Sequence, residues 1–126
     1  MNKIDFQEVI QVYTENGWGK QKDYDSDRVM AIFENSQIKY FAMQKGDLVG
    51  FLRGLTDYKS TTWIAEIIIR PSSQRNGIGS KLLNELIKEY GETSIFAETF
   101  NGKEAFFEQR GIKARRNMIV VSLKKN

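Results

Sequence analysis

The sequence predicts a mixed α/β fold: a sheet that is antiparallel in its first half, with one parallel strand–helix–strand crossover in the middle and helices on both faces. Three patterns predict it. Two amphipathic stretches at helical spacing precede any strand, and two β-rich runs flank the tight turn Lys45-Gly46-Asp47. Between Thr62 and Glu98, an apolar run, a polar loop, a long helical pattern and a short β-run then follow one another. A crossover of that length is right-handed and makes its two strands parallel neighbours.

Taken in order, Phe6, Val9, Ile10 and Tyr13 recur at helical spacing behind Asp5, an N-cap residue, and Asn16-Gly17 stop the helix. A second helix follows Ser26 and sets Val29, Ile32 and Phe33 on one face. Ile38–Gln44 and Leu48–Leu55 read as a hairpin, and a looser turn at Asp57-Tyr58-Lys59-Ser60 leads into the strand Thr62–Arg70. Pro71 ends that strand because it cannot donate to a ladder. The loop Ser72–Asn76 enters a helix that buries Ile78, Leu82, Leu83, Leu86, Ile87 and Tyr90 and closes at Gly91. A strand at Ser94–Glu98, a short helix near Lys103–Gln109 that stops at Gly111, and a final strand Met118–Leu123 complete the chain.

At 126 residues the chain suits one domain, 1–126, with a core of its own. It has no cysteine and no histidine, which removes thiol nucleophiles, disulfides, zinc and haem ligation, Ser-His-Asp triads and any imidazole acid or base. Chemistry here must use carboxylates, phenols, lysines, hydroxyls, backbone groups or a cofactor, and no metal is expected. The net charge of +3 is too small to predict a nucleic-acid partner, and the basic pairs Arg115-Arg116 and Lys124-Lys125 lack interleaved aromatic residues. No apolar run is long enough to span a bilayer, and Met1–Asp5 has no signal-peptide core, so a cytoplasmic protein without a membrane partner is expected.

The segment Gln74-Arg75-Asn76-Gly77-Ile78-Gly79-Ser80 opens the long helix. A helix start carries unpaired N–H groups and about half a positive charge, which suits a phosphate, and glycines permit close approach of the backbone. The spacing is not that of a P-loop, since Gly79-Ser80-Lys81 lacks the upstream glycine. For a dinucleotide fingerprint, Leu82 stands at the third glycine and six residues from Pro71 to Asn76 separate strand from loop; Glu98, near the offset of a ribose ligand, keeps that reading open.

The run Ile67-Ile68-Ile69-Arg70-Pro71, with Gln74 and then Gly77-Ile78-Gly79 at the helix start, resembles the coenzyme-A loop of the GCN5-related N-acetyltransferases. The order of elements from about Ile4 to Leu123 also resembles that fold, with its first strand truncated or missing. The resemblance implies a splay between the two parallel strands that holds acetyl-coenzyme A. Pantetheine would lie along the main chain of Ile67, Ile68 and Ile69, and pyrophosphate on the amides of Arg75, Asn76, Gly77, Ile78, Gly79 and Ser80.

Glu66 interrupts the apolar run Trp63–Ile69, and alternation sets it with Ile64 and Ile68 on one face. A carboxylate there either acts as a base on an ammonium substrate, as the family resemblance implies, or pairs with Arg53 on the neighbouring strand. Glu98 is either an auxiliary base or acceptor anchor, or a rim charge. The resemblance also brings Asn101 forward as a pantetheine contact, one residue short of the usual spacing, and sets Phe107 where members often carry a thiol-protonating tyrosine. Phe106 reads as core. Trp18 and Arg53 are expected to border the acceptor pocket, Trp18 being otherwise a hydrophobic cap, while Asp57 reads as a turn residue.

Together these imply an N-acetyltransferase that passes an acetyl group from acetyl-coenzyme A directly to a primary amine, a small molecule rather than a protein. Glu66 would be the base, and the N–H of Ile68 or Ile69 the donor to the thioester oxygen. A non-catalytic acyl-coenzyme A binding module, suggested by Phe107, is the competing expectation. Either a monomer or a homodimer is compatible with the chain, since an exposed terminal strand can pair with a second copy.

Overall fold

The computed structural model describes residues 3–124. Helix α1 (Phe6–Glu15) starts where the Asp5 carboxylate accepts from the Gln7 amide at 2.9 Å. Helix α2 (Ser26–Glu34) starts in the same way at Asp25, one residue before the expected Ser26. Strands β1 (Ile38–Gln44) and β2 (Asp47–Thr56) are joined through Lys45 and Gly46, both left-handed at φ 51° and 83°, which matches the twist of a two-residue hairpin. Strand β3 (Thr61–Ile69) runs back antiparallel to β2. Helix α3 (Ile78–Tyr90) then crosses over to β4 (Ser94–Ala97), parallel to β3, and a single turn of helix α4 (Ala105–Glu108) follows. The sheet order is β1-β2-β3-β4.

Each face of the sheet buries its own core. On one, Val9, Tyr13 and Phe33 of α1 and α2 meet Leu48, Phe51 and Ile68, with the Phe33 and Tyr13 rings both edge-on to Phe51 at 5.3 and 5.4 Å. On the other, Leu82, Leu83 and Leu86 of α3 meet Ile38, Leu52, Ile64 and Phe107. Ile32, expected on the buried face of α2, is instead 39% exposed, because α2 turns only Val29 and Phe33 inward.

Three further sequence expectations are corrected here. Simple alternation sets Ile64, Glu66 and Ile68 on one face, but Arg53 pairs with Glu66 while Gly54 pairs with Ile64, leaving Ala65 as an extra residue in β3. This β-bulge turns Ile64 toward α3 and leaves Glu66 and Ile68 on the α1 side. The second correction concerns Met118–Leu123, which forms no strand: it has no ladder partner and lies exposed. The last helix is also shorter than Lys103–Gln109.

At Gly50 of β2 an added Cβ would stand 2.8 Å from the Ile68 carbonyl oxygen and 2.4 Å from the Ile69 side chain. Because one of those neighbours is backbone, Gly50→Ala is expected to destabilise the fold by about 1–3 kcal/mol, read as a lower urea midpoint at unchanged m-value.

Candidate active site

The β3–β4 ladder consists of four pairs and stops at Ile64↔Ala97, where the bulge begins, while β3 continues to Ile69 against β2. The two strands part beyond that point, opening a cleft of about 500 Å³. Its floor is β3 from Ile64 to Ile69. One wall is the start of α3, and the other runs from Ala97 to Phe107.

Backbone direction along β3 follows from one bond. The Arg70 N–H donates to the Val49 carbonyl at 2.8 Å, so Arg70 and, by alternation, Ile68 turn their polar groups to β2. Ile67 and Ile69 therefore turn theirs away from β2, toward the cleft. The Ile69 carbonyl is already taken: it accepts from the side-chain amides of Gln74 at 2.9 Å and Asn16 at 3.1 Å. The Ile69 N–H remains directed to the opening.

The loop into α3 passes a short 3-10 turn, Pro71–Ser73, and then turns through Arg75 and Gly77, left-handed at φ 67° and 79°. Gly77 caps the helix without a side-chain bond, and the first intrahelical bond runs from the Lys81 N–H to the Gly77 carbonyl at 3.0 Å. The N–H groups of Ile78, Gly79 and Ser80 thus have no acceptor within the helix and lie at the cleft wall. A Cβ on Gly79 would stand 3.4 Å from the Phe106 ring, so the missing side chain keeps open the gap between these two walls.

Glu66 is partly buried at the base of the cleft. Its Oε2 accepts from the Tyr13 hydroxyl at 2.6 Å and from Arg53 Nε at 3.2 Å, and Arg53 also donates to Ser36 Oγ at 3.1 Å. Burial, followed by the negative charge of Glu66, pushes the Tyr13 phenol well above its ordinary value. Trp18 stacks on Tyr13 at 5.9 Å, is 42% exposed, and borders the cleft.

Of the residues expected from the sequence, the cleft brings together Trp18, Glu66, Ile67, Ile69, Gln74, Arg75, Gly77, Ile78, Gly79 and Ser80. It also reaches Glu98, exposed at the end of β4, and Phe107, 8% exposed in the α3 core. It does not bring in Ile68, which is buried on the opposite face, or Asn101, in an exposed turn. Asn76 bonds the Ser73 carbonyl, and Arg53 stands behind Glu66 rather than at the cleft. Asp57 shapes its turn, accepting from the amides of Thr61, Ser60 and Lys59, which hold its carboxyl well below the usual range.

Sequence reasoning missed Tyr13 as the partner of Glu66, having read it only as an apolar helix position. Its one signal was a hydroxyl on a helix face packed over a strand with a lone carboxylate. Phe106, read as core, is half-buried and forms cleft wall, as do Phe100 and Lys103. No tyrosine lines the cleft among the described residues: the Tyr24 hydroxyl donates to the Trp18 carbonyl, and Tyr58 stands against Tyr90.

A parallel pair that parts beside an amide-lined helix start is a fold with known relatives. The sequence matches the acetyltransferase (GNAT) family over residues 4–112, and the chain belongs to that family. The chloroplastic GCN5-related N-acetyltransferase 3 of Arabidopsis thaliana is 35% identical over 69 residues, which are 52% of this chain and 29% of the plant protein. A GNAT-family acetyltransferase of Streptococcus pneumoniae shares the fold with a TM-score of 0.80 at 20% identity, covering 100% of this chain and 96% of its own. An aminoglycoside 6'-N-acetyltransferase solved with coenzyme A matches with a TM-score of 0.60 at 20% identity, over 75% of this chain and 54% of its own.

The Tyr13–Glu66 bond has a consequence for stability against pH. The folded state holds Tyr13 neutral above its ordinary value near 10, so its contribution is complete below about pH 10 and is lost as pH rises beyond it. Tyr13→Phe is expected to cost about 1–3 kcal/mol at neutral pH and to flatten part of the alkaline loss, measured by urea unfolding at neutral and alkaline pH. Tyr40, raised by burial and by its bond to Glu89, adds to that alkaline loss, as do Tyr24 and Tyr90, both raised by burial.

Proposed function

We propose that this chain transfers the acetyl group of acetyl-coenzyme A directly to the primary amine of a small molecule. The observation that carries the proposal is the meeting, in one cleft, of the Ile67 main chain and the Ile69 N–H with the unpaired amides of Ile78, Gly79 and Ser80. The first set suits the amide-bearing pantetheine arm and the second suits a pyrophosphate, with Arg75 adding charge at the loop. The absence of a side chain at Gly79 leaves the room such a ligand needs. Acetyl-coenzyme A supplies the activated acyl group. This chain binds and orients it, and the Ile69 N–H stands where a donor to a carbonyl oxygen is wanted.

Glu66 is the base in this reading. Arg53 and Tyr13 both bind Oε2, which fixes the carboxylate and leaves Oε1 for a proton taken from the acceptor ammonium, directly or through water. Trp18 and Glu98 border the acceptor side. A cleft of about 500 Å³ lies within the range of small-molecule sites. The second reading, an acyl-coenzyme A binding module without turnover, is favoured by one specific observation: Phe107 lies in the core, and among the described residues no phenol lines the cleft to protonate a departing thiolate. Against it, a thiol of pKa ~8.5 leaves tolerably as the thiolate.

Two experiments test this. Gly79→Val is expected to weaken acetyl-coenzyme A at least ~10-fold by calorimetry in a protein of parental circular dichroism, since the new side chain fills the gap against Phe106. Unchanged affinity would remove the loop from the site. Glu66→Gln is expected to lower thiol release with an amine panel by ~10²–10⁴ while cofactor affinity stays near parental. Binding of acetyl-coenzyme A by the parent with no turnover on any amine would favour the module.

A further inference from the structure

We propose that the acceptor of this chain carries a second positive charge beside the amine that is acetylated, and that Glu98 and Trp18 hold that charge. The proposal rests on the acetyl-transfer reading and names the substrate class of the same site. Ile95 and Ala97 of β4 pack into the α3 core. Side chains alternate along a strand, so Phe96 and, just past its end, Glu98 turn to the opposite face, the one on which Glu66 reaches Tyr13 of α1. The two carboxylates thus share the α1 face of the cleft, one on each of the strands that part. Their states differ. Glu66 has one oxygen taken by Arg53 and Tyr13, whereas Glu98 is exposed and has no ion-pair partner among the described residues.

Trp18 borders the same face from beyond the end of α1. Its ring stacks on Tyr13, yet the residue stays 42% exposed, where a mere hydrophobic cap would be covered. Its main chain is held still. The Trp18 N–H donates to the Tyr13 carbonyl at 3.0 Å, its carbonyl accepts from the Tyr24 hydroxyl, and Gly17 and Gly19 on either side are left-handed at φ 78° and 93°. A fixed, open indole face in a cleft that also holds a free carboxylate suits an ammonium group, because the negative face of the ring adds to the carboxylate's attraction. The cations of the cleft do not oppose this. Arg53 is committed to Glu66, and Arg75 and Lys103 line the cleft without ion pairs among the described residues, where the phosphates of a bound coenzyme A would offset them. With the cofactor in place, the charge that faces the acceptor is negative. Glu66 then takes a proton from the reacting ammonium while Glu98, across the parted strands, holds the second cation. Paired strands lie about 4.8 Å apart and these two separate further, which suits a short carbon chain between the two nitrogens.

The test measures acetylation of α,ω-diaminoalkanes of three to six carbons, of the monoamines of equal length and of the matching ω-amino acids. The best diamine is expected to exceed its monoamine ~10-fold in kcat/KM, with the amino acid below both. In Glu98→Gln that advantage is expected to shrink to less than ~3-fold, through KM rather than kcat, and Glu98→Asp is expected to restore part of it. A parent that acetylates diamine and monoamine alike would overturn the proposal. So would a fall in kcat of equal size for both in Glu98→Gln, which would make Glu98 a second base. Either outcome leaves acetyl transfer standing. If the parent binds acetyl-coenzyme A but acetylates none of the panel, calorimetry on its coenzyme A complex decides. The diamine is then expected to bind ~10-fold more tightly than the monoamine and to lose that margin in Glu98→Gln, and equal affinities in the parent would overturn the proposal. A parent that binds no acetyl-coenzyme A would overturn the transfer reading and this proposal together.

Discussion

Ala65 is one residue more than the β2–β3 ladder can pair, and the site is arranged around that extra residue. The bulge reverses which face the following side chains occupy, so Glu66 reaches Tyr13 on α1 instead of entering the α3 core. It also marks where β4 leaves β3: the parallel ladder ends at Ile64↔Ala97, and β3 runs on for five residues held by β2 alone. Of the main-chain groups that β4 would have taken, the Ile69 carbonyl is met by Gln74 and Asn16, and the Ile69 N–H is left open. In the proposed function, secondary structure itself supplies the binding surface, and side chains supply what surrounds it.

The network at Glu66 shows how one carboxylate is held where apolar residues dominate. Burying a charge is costly unless it is paired and hydrogen-bonded. Here one oxygen receives both Arg53 and Tyr13, and Arg53 lies 5.9 Å from the Phe33 ring and bonds Ser36, so its own charge is also accommodated. Trp18 and Tyr24 both stack on Tyr13, at 5.9 and 5.3 Å, which locks the phenol in place. Ion pair and base were competing expectations for Glu66, yet the geometry makes them compatible: the pair occupies one oxygen and orients the other.

Most of the fold was legible because its signals are local. The cap at Asp5, the Lys45-Gly46 hairpin and the apolar stripe of α3 each follow from neighbouring residues. The glycine loop was legible for the same reason, since a left-handed position at Gly77 and a missing side chain at Gly79 are written in residue type. The bulge was not legible. Period-two alternation gives no sign of an inserted residue, and the register is decided by the partner strand. Without it, Ile64 and Glu66 cannot be separated by face, nor can Ile68 be told from Ile69 as the residue facing the cleft. Met118–Leu123 failed differently: its composition is that of a strand, but a strand needs an edge to pair with, and composition does not say which edge or whose. Tyr13, Phe100 and Phe106 escaped notice because their contacts are long-range and their residue types are ordinary in a core.

The central claim is that the opened end of β3 and the amides at the start of α3 bind acetyl-coenzyme A through backbone groups. Amide hydrogen exchange, resolved residue by residue by NMR with and without acetyl-coenzyme A, tests it most directly. Protection is expected to rise at Ile69, Gly79 and Ser80 on saturation and to change little at Ile68, whose N–H is already committed to β2. Saturable binding that protects other amides and leaves Ile69 and Gly79 at their free rates would contradict the account.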